Sequence, residues 1–301
     1  MATDATSCPA CSWSPERQDA CRYHSHIKLF YSNSDRAIWS LGSKLIVKER
    51  SVAPPNSEAR NTRFLKANTT IPVPNIIREW SEGDRYFMIS ERVQGEPLST
   101  AWPKMTITER QRVAMQTADY LGQLRKLQSN RIETLGGEPV YSAFLFPVGY
   151  GVPHGPLSTD DELWNELAKA LKGVPEKAVQ RLRDQMPTST PYTFSHGDLA
   201  AVNIMVEDGN LTGIIDWEAS GYFPVWWEFA CAGIGLGPED KEWKTLLQSH
   251  MPDFADAREF WLNFYYLSKY PNLNERATKF LSTSEDFCMV GKEMGKHAIS
   301  L

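Results

Sequence analysis

The spacing of apolar positions changes along this chain. Between residues 37 and 48 they come in short blocks: Ala37-Ile38-Trp39 and Leu41, then Leu45-Ile46-Val47, split by Gly42-Ser43. That pattern predicts a strand, a tight turn and a second strand. Pro54-Pro55 and Ser57 then open a helical pattern through Phe64, Leu65 and Ala67, with Ser57 as the expected N-cap. Ile76-Ile77 marks another strand. Residues 193–196 end a further strand, and residues 203–206 and 211–215 form two short runs joined by Glu207-Asp208-Gly209-Asn210. The Asp-Gly step predicts a hairpin there. Helical spacing dominates elsewhere. Val113, Thr117, Leu121 and Leu124 make a stripe over residues 106–128, and residues 158–171 form a helix capped by Ser158 or Thr159. Its Asp160, Asp161 and Glu162 suit the positive end of the helix, with an acidic rim for a cationic acceptor as the alternative. Further helices are expected over 224–236, 239–249, 256–267 and 285–299.

Composition narrows the class without naming an activity. A chain of 301 residues, 42% hydrophobic and 23% charged, has globular values and is long enough for two lobes around one cleft. The net charge of −5 gives no basic footprint for nucleic acid. No apolar run reaches the length of a membrane span, and the first residues lack the basic and apolar regions of a signal peptide, so a cytoplasmic location is the expectation. Oligomeric state is not legible.

The chemistry concentrates in His196-Gly197-Asp198-Leu199, followed by Asn203 and by Asp216-Trp217-Glu218. A hairpin between residues 203 and 215 brings Asn203, at the start of one strand, back beside Asp216, at the end of the other. An amide oxygen and a carboxylate there suit Mg²⁺, which takes few protein ligands and keeps waters and phosphate oxygens. Asp198, on the loop before the hairpin, faces the same space and can orient and deprotonate a hydroxyl. His196 is read as a residue steadying the backbone of the 214–218 segment rather than as a proton shuttle.

The arrangement His-x-Asp-x-x-x-x-Asn followed by a strand-end Asp is similar to the catalytic loop and metal segment of protein kinases. With Gly197 and Asp216-Trp217-Glu218 it more closely resembles the aminoglycoside phosphotransferase family, fungal type. Supporting stretches are 68–77, 86–98, 155–158, 162–164 and 217–228, so the resemblance covers residues 37–240. It implies an α+β, protein-kinase-like two-lobed fold. An N-lobe over 27–93 would carry an antiparallel sheet and one helix, and a mainly helical C-lobe would span 94–301. It also implies ATP- and Mg²⁺-dependent transfer of the γ-phosphoryl group to a hydroxyl of a small-molecule acceptor. Lys48 stands where the family's phosphate-contacting lysine stands, and Glu58 is its natural partner. Backbone groups near Glu91 and Val93 would meet adenine, with Gly95 turning the chain toward the second lobe. The phosphate-covering loop falls near residues 31–36. It has no glycine, so backbone amides and the hydroxyls of Ser32 and Ser34 would serve.

Glu218 and Glu228 are candidates for the acceptor side, Glu218 alternatively as a second metal ligand or a loop anchor. Trp226 and Trp227 read as core before they read as a stacking platform. Small apolar Ala200-Ala201-Val202 replaces the family's more polar tripeptide, which bears on the acceptor class. No Asp-Phe-Gly segment occurs, and only seven residues separate Asp216 from Pro224, leaving no room for an activation loop. The competing reading is a nucleotide-binding pseudokinase serving as a regulatory or interaction module. Residues 1–26 form a leader in which Cys8, Cys11, Cys21 and His24 have C-x₂-C-x₉-C-x₂-H spacing, able to close a structural Zn²⁺ knuckle.

Overall fold

The computed structural model describes residues 27–33, 35–149, 151–235 and 237–282. The first five strands are β1 (Ile27–Asn33), β2 (Arg36–Leu41), β3 (Leu45–Ser51), β4 (Ile76–Glu82) and β5 (Arg85–Glu91). They form one antiparallel sheet in the order β1-β2-β3-β5-β4. Period-two alternation sets its faces: Tyr86, Met88 and Ser90 on β5 point inward and are buried. Helix α1 (Glu58–Asn68) crosses that face and packs Ala59 against Tyr86 and Met88. This core is small. The same helix presents Leu65 to a second cluster that contains Phe194, Ile214 and Trp217, so α1 is fastened to both lobes.

The chain enters the C-lobe at Gly95, which has φ +94°; a Cβ there would stand 2.2 Å from the Val206 carbonyl oxygen. Only glycine lets the connection pass so close. Then follow β6 (Glu96–Pro97), α2 (Leu98–Ala101), α3 (Ile107–Leu124), β7 (Gln128–Ser129), α4 (Asp160–Ala168), α5 (Glu176–Asp184), β8 (Tyr192–Ser195), β9 (Ile204–Glu207), β10 (Asn210–Ile214), β11 (Gly221–Pro224), α6 (Trp227–Cys231), α7 (Pro238–Gln248) and α8 (Ala255–Leu267). Helix α3 starts with a full capping box, Thr106 accepting from Glu109 N while the Glu109 carboxylate accepts from Thr106 N.

The hairpin β9–β10 forms as expected. Asp208 and Gly209 sit at φ +49° and +69°, the positive pair a type I′ turn requires. Trp226 and Trp227 are 1% and 0% exposed inside the larger apolar cluster of the C-lobe, so they are core. The expected helix over 224–236 is shorter: residues 221–224 pair with β8 as β11, and α6 spans Trp227–Cys231. Ser57 is not a side-chain cap for α1, because its hydroxyl donates to the Glu218 carbonyl 3.0 Å away. Helix α5 and the strands β6 and β7 were not anticipated; two-residue strands carry no period to read. The expected helix over 285–299 lies outside the described residues. Among the described residues no helix is long and apolar enough to cross a membrane.

Candidate active site

β8 delivers the 196–203 loop into the cleft, and the C-lobe fixes it from below. His196 is fully buried; its Nε2 is 2.9 Å from the Ile215 carbonyl, and its Nδ1 accepts from Asp198 N at 3.2 Å. Nε2 is therefore the protonated nitrogen of a neutral ring. Burial lowers its pKa to about 4, the Ile215 carbonyl opposing the shift. The expectation that His196 steadies the 214–218 backbone matches this geometry. Gly197 takes φ +82°, with the Ala219 carbonyl 3.2 Å from where a Cβ would lie. Cys231 Sγ donates to Gly197 O at 3.0 Å, Trp243 Nε1 to Leu199 O at 3.0 Å, and Ala201 N to Asp240 Oδ1 at 2.7 Å. Asp198 rides on this scaffold. Burial pushes its carboxyl pKa up, and the Lys244 ammonium offsets part of the shift.

The segment after β10 is held from the opposite lobe. Asp216 adopts a left-handed conformation, φ +67° and ψ +53°, uncommon for a residue with a Cβ. Lys48 Nζ donates to Asp216 Oδ1 at 2.7 Å and to Glu58 Oε1 at 2.6 Å. Glu58 Oε2 accepts from Arg50 Nη2 at 3.0 Å, and Arg50 Nη1 reaches Glu218 Oε2 at 2.5 Å. Arg36 Nη1 closes the series on Glu218 Oε1 at 2.8 Å. Six ionised groups of alternating sign thus run Arg36, Glu218, Arg50, Glu58, Lys48, Asp216. Burial would raise the Asp216 carboxyl, but the Lys48 ammonium outweighs it and holds the pKa down to about 2. Asn61, also on α1, donates its side-chain amide to Trp217 O at 2.8 Å.

Asp198, Asp216, Glu218, Arg36 and Arg50 line one cavity of about 440 Å³, with Tyr141, Phe144 and Pro54-Pro55 among its other walls. Asn203 stands beside the metal segment as the hairpin predicts: Ile215 N donates to Asn203 O at 3.0 Å, and Asn203 Nδ2 donates to Asp198 O at 2.9 Å.

Other candidates are placed differently. Glu218 faces the N-lobe and is neutralised by two guanidinium groups, so it is a loop anchor rather than an open acceptor carboxylate. Glu228 is also not on the acceptor surface; its Oε2 accepts from His196 N at 2.5 Å, supporting the catalytic loop from beneath. Burial raises its carboxyl pKa to about 7 against the pull of the His196 and Gly197 backbone amides. The acidic run on α4 is consumed locally: Asp160 accepts from Ser189 N at 3.0 Å, Asp161 pairs with Arg183 and Glu162 accepts from Ser158 N.

Glu91 ends β5, its N–H donating to Asn75 O at 2.9 Å. Val93 lies over Gly213, where a Cβ would come within 2.5 Å of Val93 Cγ1. Ser32 is an exposed β1 residue paired with Ala37. Ser34 and the proposed zinc ligands Cys8, Cys11, Cys21 and His24 lie outside the described residues. Sequence reasoning missed Arg36 and Arg50. Strand alternation carried the signal for Arg50, since residues 48 and 50 share one face of β3.

A family model described as the phosphotransferase enzyme family matches residues 32–259. The chain belongs to that family. An aminoglycoside 3′-phosphotransferase of Enterococcus faecalis is 38% identical over 74 residues, which are 24% of this chain and 26% of that protein. The chain thus matches about a quarter of the length of that curated relative. Among solved structures, the streptomycin–ATP ternary complex of APH(2″)-IIa aligns with a TM-score of 0.53 at 16% identity, covering 90% of this chain and 94% of that one. A thermostable mutant of the aminoglycoside phosphotransferase APH(4)-Ia, with ADP and hygromycin B, gives a TM-score of 0.57 at 12% identity, covering 88% and 92%. These likenesses show the shared kinase-like, two-lobed fold.

Proposed function

We propose that this protein transfers the γ-phosphoryl group of ATP to a hydroxyl of a small molecule, with Mg²⁺ as the required ion. The observation that carries this reading is Lys48 Nζ held between Glu58 and Asp216 while Asp198 opens on the same cavity. The donor set fits the ion. Asp216 supplies a carboxylate, and Asn203, its Nδ2 engaged, has Oδ1 left for a ligand; the Glu58 and Glu218 oxygens lie within 4.8 Å but are held by Lys48, Arg50 and Arg36. Hard oxygen donors of this kind suit Mg²⁺. Asp216 and Asn203 would hold it, and when bound it neutralises charge on the phosphates.

The chain's own residues do the rest. Lys48 grips the phosphates, Glu58 holds Lys48, and backbone groups at Glu91 and Val93 receive the base. Asp198 orients the acceptor hydroxyl and takes its proton as the oxygen–phosphorus bond forms; the bond to the β-phosphate oxygen breaks and ADP leaves. A carboxyl raised by burial is a better base near neutral pH than an exposed one. Positioning and charge neutralisation supply most of the rate.

The test is calorimetric titration with ATP, with and without Mg²⁺, for wild type and Asp216→Ala. Mg²⁺-dependent micromolar binding that the variant weakens supports the assignment. Absence of binding by the wild type under both conditions sinks it.

A further inference from the structure

We propose that Arg36 is a γ-phosphate ligand, a second cation that works with Lys48 on ATP. This rests on the phosphotransferase reading above.

Three features of the structure support it. The turn between β1 and β2 contains no glycine, so its backbone lacks the residue that most easily approaches a phosphate closely. The residue that opens β2 immediately after that turn is Arg36, and it lines the cavity together with Asp198 and Asp216. Its guanidinium is the most accessible cation of the ladder. The side chain is 45% exposed, against 8% for Arg50, which is committed to Glu58, Glu218 and the Pro55 carbonyl.

Position within the cavity points to the terminal phosphate. Arg36 shares the cavity with Asp198, the carboxylate that would receive the acceptor, whereas Lys48 sits behind it between Glu58 and Asp216. The phosphoryl group that moves lies between nucleotide and acceptor, so the accessible cation of this cavity, which feels the Asp216 carboxylate, meets the γ oxygens. A guanidinium offers five donors in a planar fork that matches phosphate oxygens in pairs. Arg36 rests on Glu218 Oε1 at 2.8 Å, while Arg50 Nη1 holds the other oxygen of that carboxylate. Arg36 can leave for the phosphate while Glu218 keeps a counter-charge.

The experiment is calorimetric titration in Mg²⁺ with ATP and with ADP, for wild type, Arg36→Ala, Glu218→Gln and the double variant. Arg36→Ala is expected to weaken ATP binding about ten-fold and ADP binding less than about three-fold. The double variant is expected to bind ATP about ten-fold more weakly than Glu218→Gln alone. Equal losses for ATP and ADP would overturn the γ-phosphate assignment. So would a double variant that binds ATP as tightly as Glu218→Gln, because Arg36 would then act only by screening Glu218. A wild type that binds no ATP is a different result, which removes the phosphotransferase reading itself and this inference with it.

Discussion

Asp198 and Asp216 open on one cavity, yet they belong to different halves of the molecule. The loop that carries Asp198 is tied down by Glu228, Cys231, Asp240 and Trp243, all from the C-lobe. The segment that carries Asp216 is reached by Lys48, Arg50, Arg36, Ser57 and Asn61, all from the N-lobe. Their electrostatics divide the same way. Asp216 is held near pKa 2 by a cation, while Asp198 is raised by burial. In the proposed mechanism the first would stay charged for a cation and the second basic for a proton. The site is therefore assembled from supports in two lobes, joined at the cleft by His196 and Asn203, each of which bonds to both segments.

The contrast can be broken at several strengths. Asp198→Ala carries the largest expected effect: phosphoryl transfer falls about a thousand-fold while ATP affinity stays at the wild-type value, read by product formation and by calorimetry. Loss of both together would mean the two carboxylates are not separable. Lys48→Ala removes the cation on Asp216 and one of the two on Glu58, which keeps Arg50, and should lower unfolding stability by about 3 kcal/mol. Urea melts report it, and an unchanged midpoint would show that the ladder does not bear on the fold.

A pH series sharpens the C-lobe side. The folded pKa of His196 is depressed to about 4 from the ordinary 6.5, so its contribution is present above pH 6.5 and lost as pH falls through 4. Between pH 7 and pH 5 that amounts to about 2 kcal/mol, set against Glu228, whose raised carboxyl adds stability as pH falls through 7, so His196→Asn should be less acid-sensitive than wild type. A variant as acid-sensitive as wild type would place the proton uptake elsewhere. The smallest effect belongs to Asn61→Ala, which removes the amide's buried hydrogen bonds to the Trp217 and Ser220 carbonyls and should cost about 1 kcal/mol. Because Asn61 touches only the metal segment, nucleotide affinity should drop in this variant with no change in the titration of His196.

Local chemistry was legible in the sequence, and long-range pairing was not. The His-x-Asp spacing, the Asp208-Gly209 turn and the Lys48–Glu58 pair all lie within short stretches, and each is realised in the geometry. Arg36 and Arg50 acquire meaning only because β10 carries Glu218 to them from 182 positions away in the case of Arg36. Glu228 reads in the sequence as a candidate for the acceptor side. It turned inward because the N–H groups of the catalytic loop required an acceptor where the C-lobe closes over them. Ser57 had the composition of a cap, but a carbonyl of the distant metal segment was the stronger claim on its hydroxyl.

The six-membered ladder has a consequence for how the sequence can vary. An end group, Arg36 or Asp216, has one neighbour in the series, while Arg50 or Glu58 has two. Losing an interior member therefore strands twice as many partners as losing a terminal one. A simultaneous change at two adjacent rungs preserves the alternation. Among relatives, substitutions at these positions should accordingly travel in adjacent couples ordered by the ladder, not by proximity along the chain.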